Sequence, residues 1–189
     1  MTARAGGIDV VVHNGGISQR ARALDSSLEV DRRLFDVNYF GTVALTKALL
    51  PGMIAAGSGH FVVVTSLTGV IGTPLRSSYA ASKHALHGFF DSLRAEHHAD
   101  GVHVTIVCPG FVQTEVSRNA LTGDGSPQGA MDTATANGIT PEACARAIVR
   151  ATARRKDEVY VGGRERLGVY LMRLSPALFA RTLRRVKVV

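Results

Sequence analysis

Four short runs of apolar, mostly β-branched residues punctuate this chain, and a helix-length or loop segment separates each from the next. They are residues 8–12, 60–66, 102–107 and 158–161. Near-continuous apolar runs, as opposed to alternating ones, are expected of strands buried on both faces. Strands alternating with helices build a parallel sheet covered on its two sides. The turn residues that stop the runs support this reading: Asn14-Gly15-Gly16 after the first, Pro109-Gly110 after the third. The expected fold class is therefore α/β, with a parallel sheet and helices on both faces.

The segments between the runs fit. Residues 28–56 hold Leu34, Phe35, Val37, Asn38, Phe40 and Leu45 broadly along one helix face, and Gly57-Ser58-Gly59 closes that helix. Residues 78–98 read as a second helix, packing through Ala81, Leu86, Phe89, Phe90 and Leu93. Thr140-Pro141-Glu142 is a helix start, with Thr as cap, Pro at the first position and Glu in the positive first turn. Residues 116–138 are rich in Gly, Thr, Asn and Ser without a period, and loops of that length are usually functional or mobile. The tail from Arg164 is expected to be helical with a break at Pro176. No repeat or linker divides the 189 residues, so a single domain with a basic tail over 164–189 is expected.

Several function classes lose support here. The two cysteines, Cys108 and Cys144, form no CxxC pair, and the seven histidines form no HExxH or HxH array. No disulfide framework or metal site is expected, the histidines read as surface residues, and a reducing cytoplasm is the natural setting. The net charge of +7 is concentrated at one end, since residues 146–189 contain 12 of the 22 Lys/Arg and only 3 of the 15 Asp/Glu. Without a nucleic-acid motif beside it, this asymmetry does not indicate a nucleic-acid partner. No run appears long enough to span a membrane, and residues 1–7 have no signal core.

Chemistry-bearing residues recur at telling intervals. Tyr79 and Lys83 are four apart, one helical turn, with Ala-Ser between, and Ser66 stands thirteen before Tyr79. Asn14-Gly15-Gly16 follows the first strand. Asn38 lies in Asp36-Val37-Asn38-Tyr39-Phe40-Gly41, and Pro109-Gly110-Phe111-Val112-Gln113-Thr114 follows the third strand. Alone, each is ordinary. In this order and spacing they resemble the short-chain dehydrogenase/reductase family, over residues 8–161 and more loosely the tail. The neighbourhood of Tyr79 and Phe89-Phe90 is most similar to the steroid-dehydrogenase-like and "member 7" branch. Gly15 departs from the family's Asn-Ala-Gly.

The resemblance implies a partial Rossmann-type, doubly wound sheet with its first strands absent. Family members open with a strand, a Thr-Gly-x-x-x-Gly-x-Gly turn and further βα units, and at roughly 30 residues per unit ~70 residues of that pattern are not in this sequence. The cluster Gly123-Asp124-Gly125 follows no strand, contains Pro127 nearby, and does not replace the turn. By resemblance, Tyr79 is the proton donor or acceptor, Ser66 holds the substrate oxygen, Lys83 lowers the phenol's pKa, and Asn38 supports proton resupply. The cofactor, NAD or NADP, would touch Asn14 and Gly16, then Tyr79 and Lys83, then Pro109, Gly110, Val112 and Thr114. The substrate would be a small alcohol or ketone, chosen by residues 68–77 and 116–138. A homo-oligomer built on the two long helices is expected. The basic tail would cover the pocket or, weakly, touch an anionic membrane surface. The competing readings are a non-catalytic remnant acting as scaffold or oligomerisation module, and a sugar-nucleotide epimerase.

Overall fold

A computed structural model describes residues 7–184. The described strands are β1 (Val10–His13), β2 (Gly59–Val64), β3 (Val102–Pro109) and β4 (Glu158–Val161). They form one four-stranded sheet in the order β1-β2-β3-β4, parallel throughout. The helices are α1 (Leu28–Phe35), α2 (Gly41–Ala56), α3 (Ser77–Glu96), α4 (Thr133–Ala136), α5 (Pro141–Ala153), α6 (Leu167–Leu174) and α7 (Pro176–Leu183). Thr140 caps α5 by accepting from the Ala143 amide, as its sequence leads one to expect, and Pro176 opens α7.

The alternation of the strands sends residues to two different cores. Phe61, Val63, Val104, Ile106 and Cys108 pack with Leu86, Phe90 and Leu93 of α3, and with Met53 and Val169. Val62, Val107 and Val161 pack on the opposite face with Cys144 of α5. Helix α5 packs chiefly on β3 and β4. Val10 and Val12, expected to be buried, are 47% and 51% exposed, and β1 is an edge strand among the described residues.

Residues 28–56 form a continuous helix with one irregularity, a π turn at Asp36–Phe40 between α1 and α2. Joined in this way, Leu28–Ala56 is long and apolar enough to cross a membrane, contrary to the sequence reading, which weighed only uninterrupted apolar runs. Two of its polar residues bond into the fold. Thr46 Oγ1 meets His13 Nε2 at 2.9 Å, and Asn38 bonds to Ile17 and Ser82. The histidine reading also changes. His13 and His60 are buried, the first stacked on Phe61 and the second 2.8 Å from Thr105 Oγ1, so burial lowers both pKa values. Helix α2 ends on Gly57 in the left-handed region (φ 62°), and Gly101 (φ 74°) passes so close that a Cβ there would lie 2.2 Å from the Gly57 carbonyl oxygen.

The segment 116–138 is more fixed than its composition suggests. Ser117, Ala120, Leu121, Asp132 and Thr135 are buried, and Leu121 joins Val30 and Leu34 in a small third core.

Candidate active site

The carboxyl ends of parallel strands are where ligands bind in open α/β sheets. Here the ends of β1, β2 and β3 open into one cavity of about 840 Å³. Its walls include Asn14 and Gly16 after β1, Ser66 after β2, Tyr79 and Lys83 of α3, and Pro109, Gly110, Val112 and Thr114 after β3. Helices α6 and α7 close the far side with Leu171, Phe179 and Leu183. Every site residue expected from the sequence except Asn38 lines this cavity, and Asn38 stands directly behind it.

Asn38 is buried in the π turn. Its amide oxygen accepts from the Ile17 amide at 2.8 Å, and its Nδ2 donates to the Ile17 carbonyl and to Ser82 Oγ, each at 3.0 Å. It thus ties the segment after β1 to the helix carrying Tyr79 and Lys83. Gly16 fits beneath it because it lacks a side chain: a Cβ would stand 3.1 Å from Asn38 Oδ1 and 3.2 Å from Lys83 Nζ. Gly110 is held similarly, since a Cβ would lie 2.2 Å from Glu165 Oε1, the atom that accepts from the Phe111 amide. Nothing crowds Gly15, so its exchange for the family's Ala meets no spatial barrier.

Ser66 Oγ accepts from the Thr68 amide at 3.1 Å and the Thr68 hydroxyl at 2.9 Å. The Ser66 and Thr68 hydroxyls stand on the side of the Tyr79 phenol where they favour its ionised form. Burial pushes the phenol's pKa up, against those hydroxyls and the guanidinium charges of Arg76 and Arg20. This overturns the expectation that Lys83 brings the phenol toward neutrality in the free protein. Lys83 Nζ lies 6.0 Å from the Tyr79 ring centre and donates to the Val64 carbonyl at 3.1 Å. Burial also lowers the Lys83 pKa to about 8.

The sequence reading missed a buried ionic group on the cavity wall. Arg20, Arg76 and Asp132 meet there. Asp132 Oδ2 accepts from Arg20 Nε at 2.9 Å, more closely from Arg20 Nη2, and from Arg76 Nη2 at 3.3 Å. Its Oδ1 accepts from Gln128 at 2.9 Å. One signal was available. Arg76 occupies the N-cap position of α3 without a side-chain capping bond, a place where a cation opposes the helix dipole and needs a partner.

Comparison with known proteins agrees with this fold. The short chain dehydrogenase family model (adh_short) matches residues 1–124. Dehydrogenase/reductase SDR family member 7B of Xenopus laevis is 50% identical over 97% of this chain and 58% of its own length. The Drosophila melanogaster SDR family protein 7-like is 43% identical over 91% of the chain and 53% of its own length. The chain thus spans somewhat over half the length of these curated relatives. A Burkholderia cenocepacia short chain dehydrogenase in complex with NADP superposes with a TM-score of 0.79 at 29% identity, over 96% of this chain and 71% of that one. A Streptomyces avermitilis short-chain dehydrogenase gives 0.76 at 28% identity, over 96% and 70%.

Proposed function

Because this chain belongs to the short-chain dehydrogenase/reductase family, with its Rossmann-type parallel sheet, we propose that it carries the proton-transfer part of an NAD(P)-dependent oxidoreductase. The reaction would interconvert a secondary alcohol and a ketone. The observation that carries this reading is that Ser66, Tyr79 and Lys83 line one largely apolar cavity, the last two on the same helix.

The residues present fit a nicotinamide nucleotide. An ammonium has three donors, and Lys83 Nζ spends one on Val64, leaving two for ribose hydroxyls. Asn14 and Gly16 flank one end of the cavity, and Pro109, Gly110, Val112 and Thr114 wall the other. A relative of similar fold is described as bound to NADP. When bound, the nicotinamide supplies or accepts the hydride.

The chain's own residues handle the proton. Ser66 holds the substrate oxygen beside Tyr79. In the free protein burial keeps Tyr79 protonated, which suits donation to a carbonyl as negative charge develops on it. The guanidiniums of Arg76 and Arg20 then stabilise the phenolate left behind. Asn38 fixes the backbone at Ile17 and the neighbouring turn of α3, and so sets the height of Lys83 against the β1 end. The apolar wall from α6 and α7 faces the substrate. The exposed outer face of the long helix, with Val37, Phe40 and Leu45, is the proposed contact between copies of the chain.

The test is carbonyl reduction by the full chain with NADH or NADPH across a panel of ketones. Replacing Tyr79 by Phe is expected to lower kcat by roughly 10²- to 10⁴-fold while leaving the dinucleotide Kd within about twofold. Wild-type turnover by Tyr79→Phe, or no dinucleotide binding by the unmodified protein, would sink the proposal.

A further inference from the structure

We propose that His87, Cys108 and Glu158 form a binding site for a thiophilic divalent ion of the zinc type, joining α3, β3 and β4 behind the cavity. The sequence suggests no metal site because the three residues lie 21 and 50 positions apart and belong to no motif. The fold brings them together: one ligand atom of each lies within 4.8 Å of the others. Cys108 Sγ is 3.7 Å from His87 Nε2 and 3.8 Å from Glu158 Oε1, and His87 Nδ1 is 3.8 Å from the same oxygen. In a tetrahedral zinc site, with bonds near 2.0–2.3 Å, ligand atoms stand about 3.3–3.6 Å apart. Because the thiol and the carboxylate each approach a different ring nitrogen, one pair of the ligand set is wider, though within 4.8 Å, and closing the triangle takes a side-chain shift of about 1 Å, leaving a fourth position for water.

The surroundings match what such sites have around them. A ligating imidazole usually gives its other N–H to an oxygen that fixes the ring. Thr65 Oγ1 lies 3.0 Å from His87 Nε2, which leaves Nδ1 to face the carboxylate. The same hydroxyl is 3.4 Å from Cys108 Sγ. Tyr160 stands opposite Cys108 in the β3–β4 register, and its hydroxyl is buried without a hydrogen-bond partner. Burial lowers the His87 pKa, so the imidazole is neutral with a lone pair to offer. Burial also holds Cys108 as a thiol, with its pKa up to about 12. The ion would therefore replace the thiol proton, forming one metal–sulfur bond and releasing one proton to solvent, with no change of oxidation state. One nitrogen, one sulfur and one carboxylate oxygen favour zinc-like ions over magnesium or calcium. Arg173, 3.0 Å from Glu158 Oε2, competes for the carboxylate.

The inference does not rest on the oxidoreductase reading. Its test is titration of the metal-free full chain with Co²⁺. One equivalent should bind, with a thiolate-to-cobalt charge-transfer band, and Zn²⁺ should displace it and raise Tm. Cys108→Ser should abolish the band, and Cys144→Ser should keep it. Glu158→Gln, which retains the thiol should Cys108→Ser fail to fold, should weaken Co²⁺ at least about tenfold. Arg173→Met should tighten it. The proposal is overturned if millimolar Co²⁺ or Zn²⁺ gives neither band nor Tm shift. It is equally overturned if the band survives Cys108→Ser or if Glu158→Gln binds as tightly as wild type.

Discussion

Asp132→Asn asks how much of this fold depends on a charge that sequence inspection overlooks. Asp132 is 4% exposed, and its Oδ2 receives both Arg20 and Arg76. Asparagine has nearly the same shape. Its oxygen can still face the guanidiniums, while its amide faces Gln128, whose own amide can turn over. What disappears is the charge, leaving two buried cations with no anion between them. Burial and Arg20 already press the Arg76 pKa down to about 10, with Asp132 as the counterweight. Removing one partner from a buried ionic group costs about 3–5 kcal/mol. Because the shape is kept, the lower end is expected, about 3 kcal/mol, or roughly a 150-fold fall in the folding constant. For a chain of this size that corresponds to a Tm about 6–12 °C lower. Urea unfolding at pH 7 measures it. In an Arg76→Met background the same change should cost about 1–2 kcal/mol less, since one stranded cation has gone. A loss below about 1 kcal/mol, as for an exposed pair, or no dependence on Arg76, would refute the reasoning. The pH dependence has a definite sign. Burial raises the Asp132 pKa, but the hydrogen bonds from Arg20 and Gln128 and the two positive charges outweigh it, so the folded value is depressed. Its contribution is complete above about pH 4 and is lost as pH falls through the folded value.

Other outcomes follow from the same structure. Lys83→Met should abolish turnover yet stabilise the free protein by about 1–2 kcal/mol at pH 7, because a buried ammonium is removed. Its folded pKa, lowered by burial to about 8, lies below the unfolded one. Wild-type stability should therefore rise between about pH 8 and pH 10 as the unfolded chain keeps its proton longer, and the variant should show no such rise. Asn38→Ala should cost about 2–4 kcal/mol by orphaning both backbone groups of Ile17, and hydrogen exchange at the Ile17 amide should accelerate. Val12→Lys, on the exposed side of the edge strand, should reduce self-association in sedimentation without lowering Tm.

The four strands were legible because each is a compact apolar run between turn residues, and α5 was legible because Thr140 and Pro141 announce it. Tyr79, Lys83 and Ser66 could be found because their spacing along one strand and one helix is also their geometry in space. The rest lay in contacts that leave no local pattern. Arg20 and Asp132 are 112 residues apart, and each looks like an ordinary surface charge. The burial of His13 and His60 depends on which helix lies over which strand. The phenol's raised pKa is likewise a property of the enclosed cavity, which motif spacing does not report. Exposure of Val10 and Val12 goes with the place of β1 at the edge of the described sheet, away from the strands on which α5 packs.

The π turn has a consequence for engineering this scaffold. An α-helix advances about 100° per residue, so the widened turn resets the angular phase between its two halves. Val30 and Leu34 before it look toward Leu121, while Thr46 and Met53 after it look toward the sheet. Excising a single position from 36–40 would therefore leave a regular helix whose later residues keep nearly their present faces, with Thr46 still on His13, whereas excising one from the regular turn at 42–45 would swing everything beyond it by about 100° and pull Thr46 away.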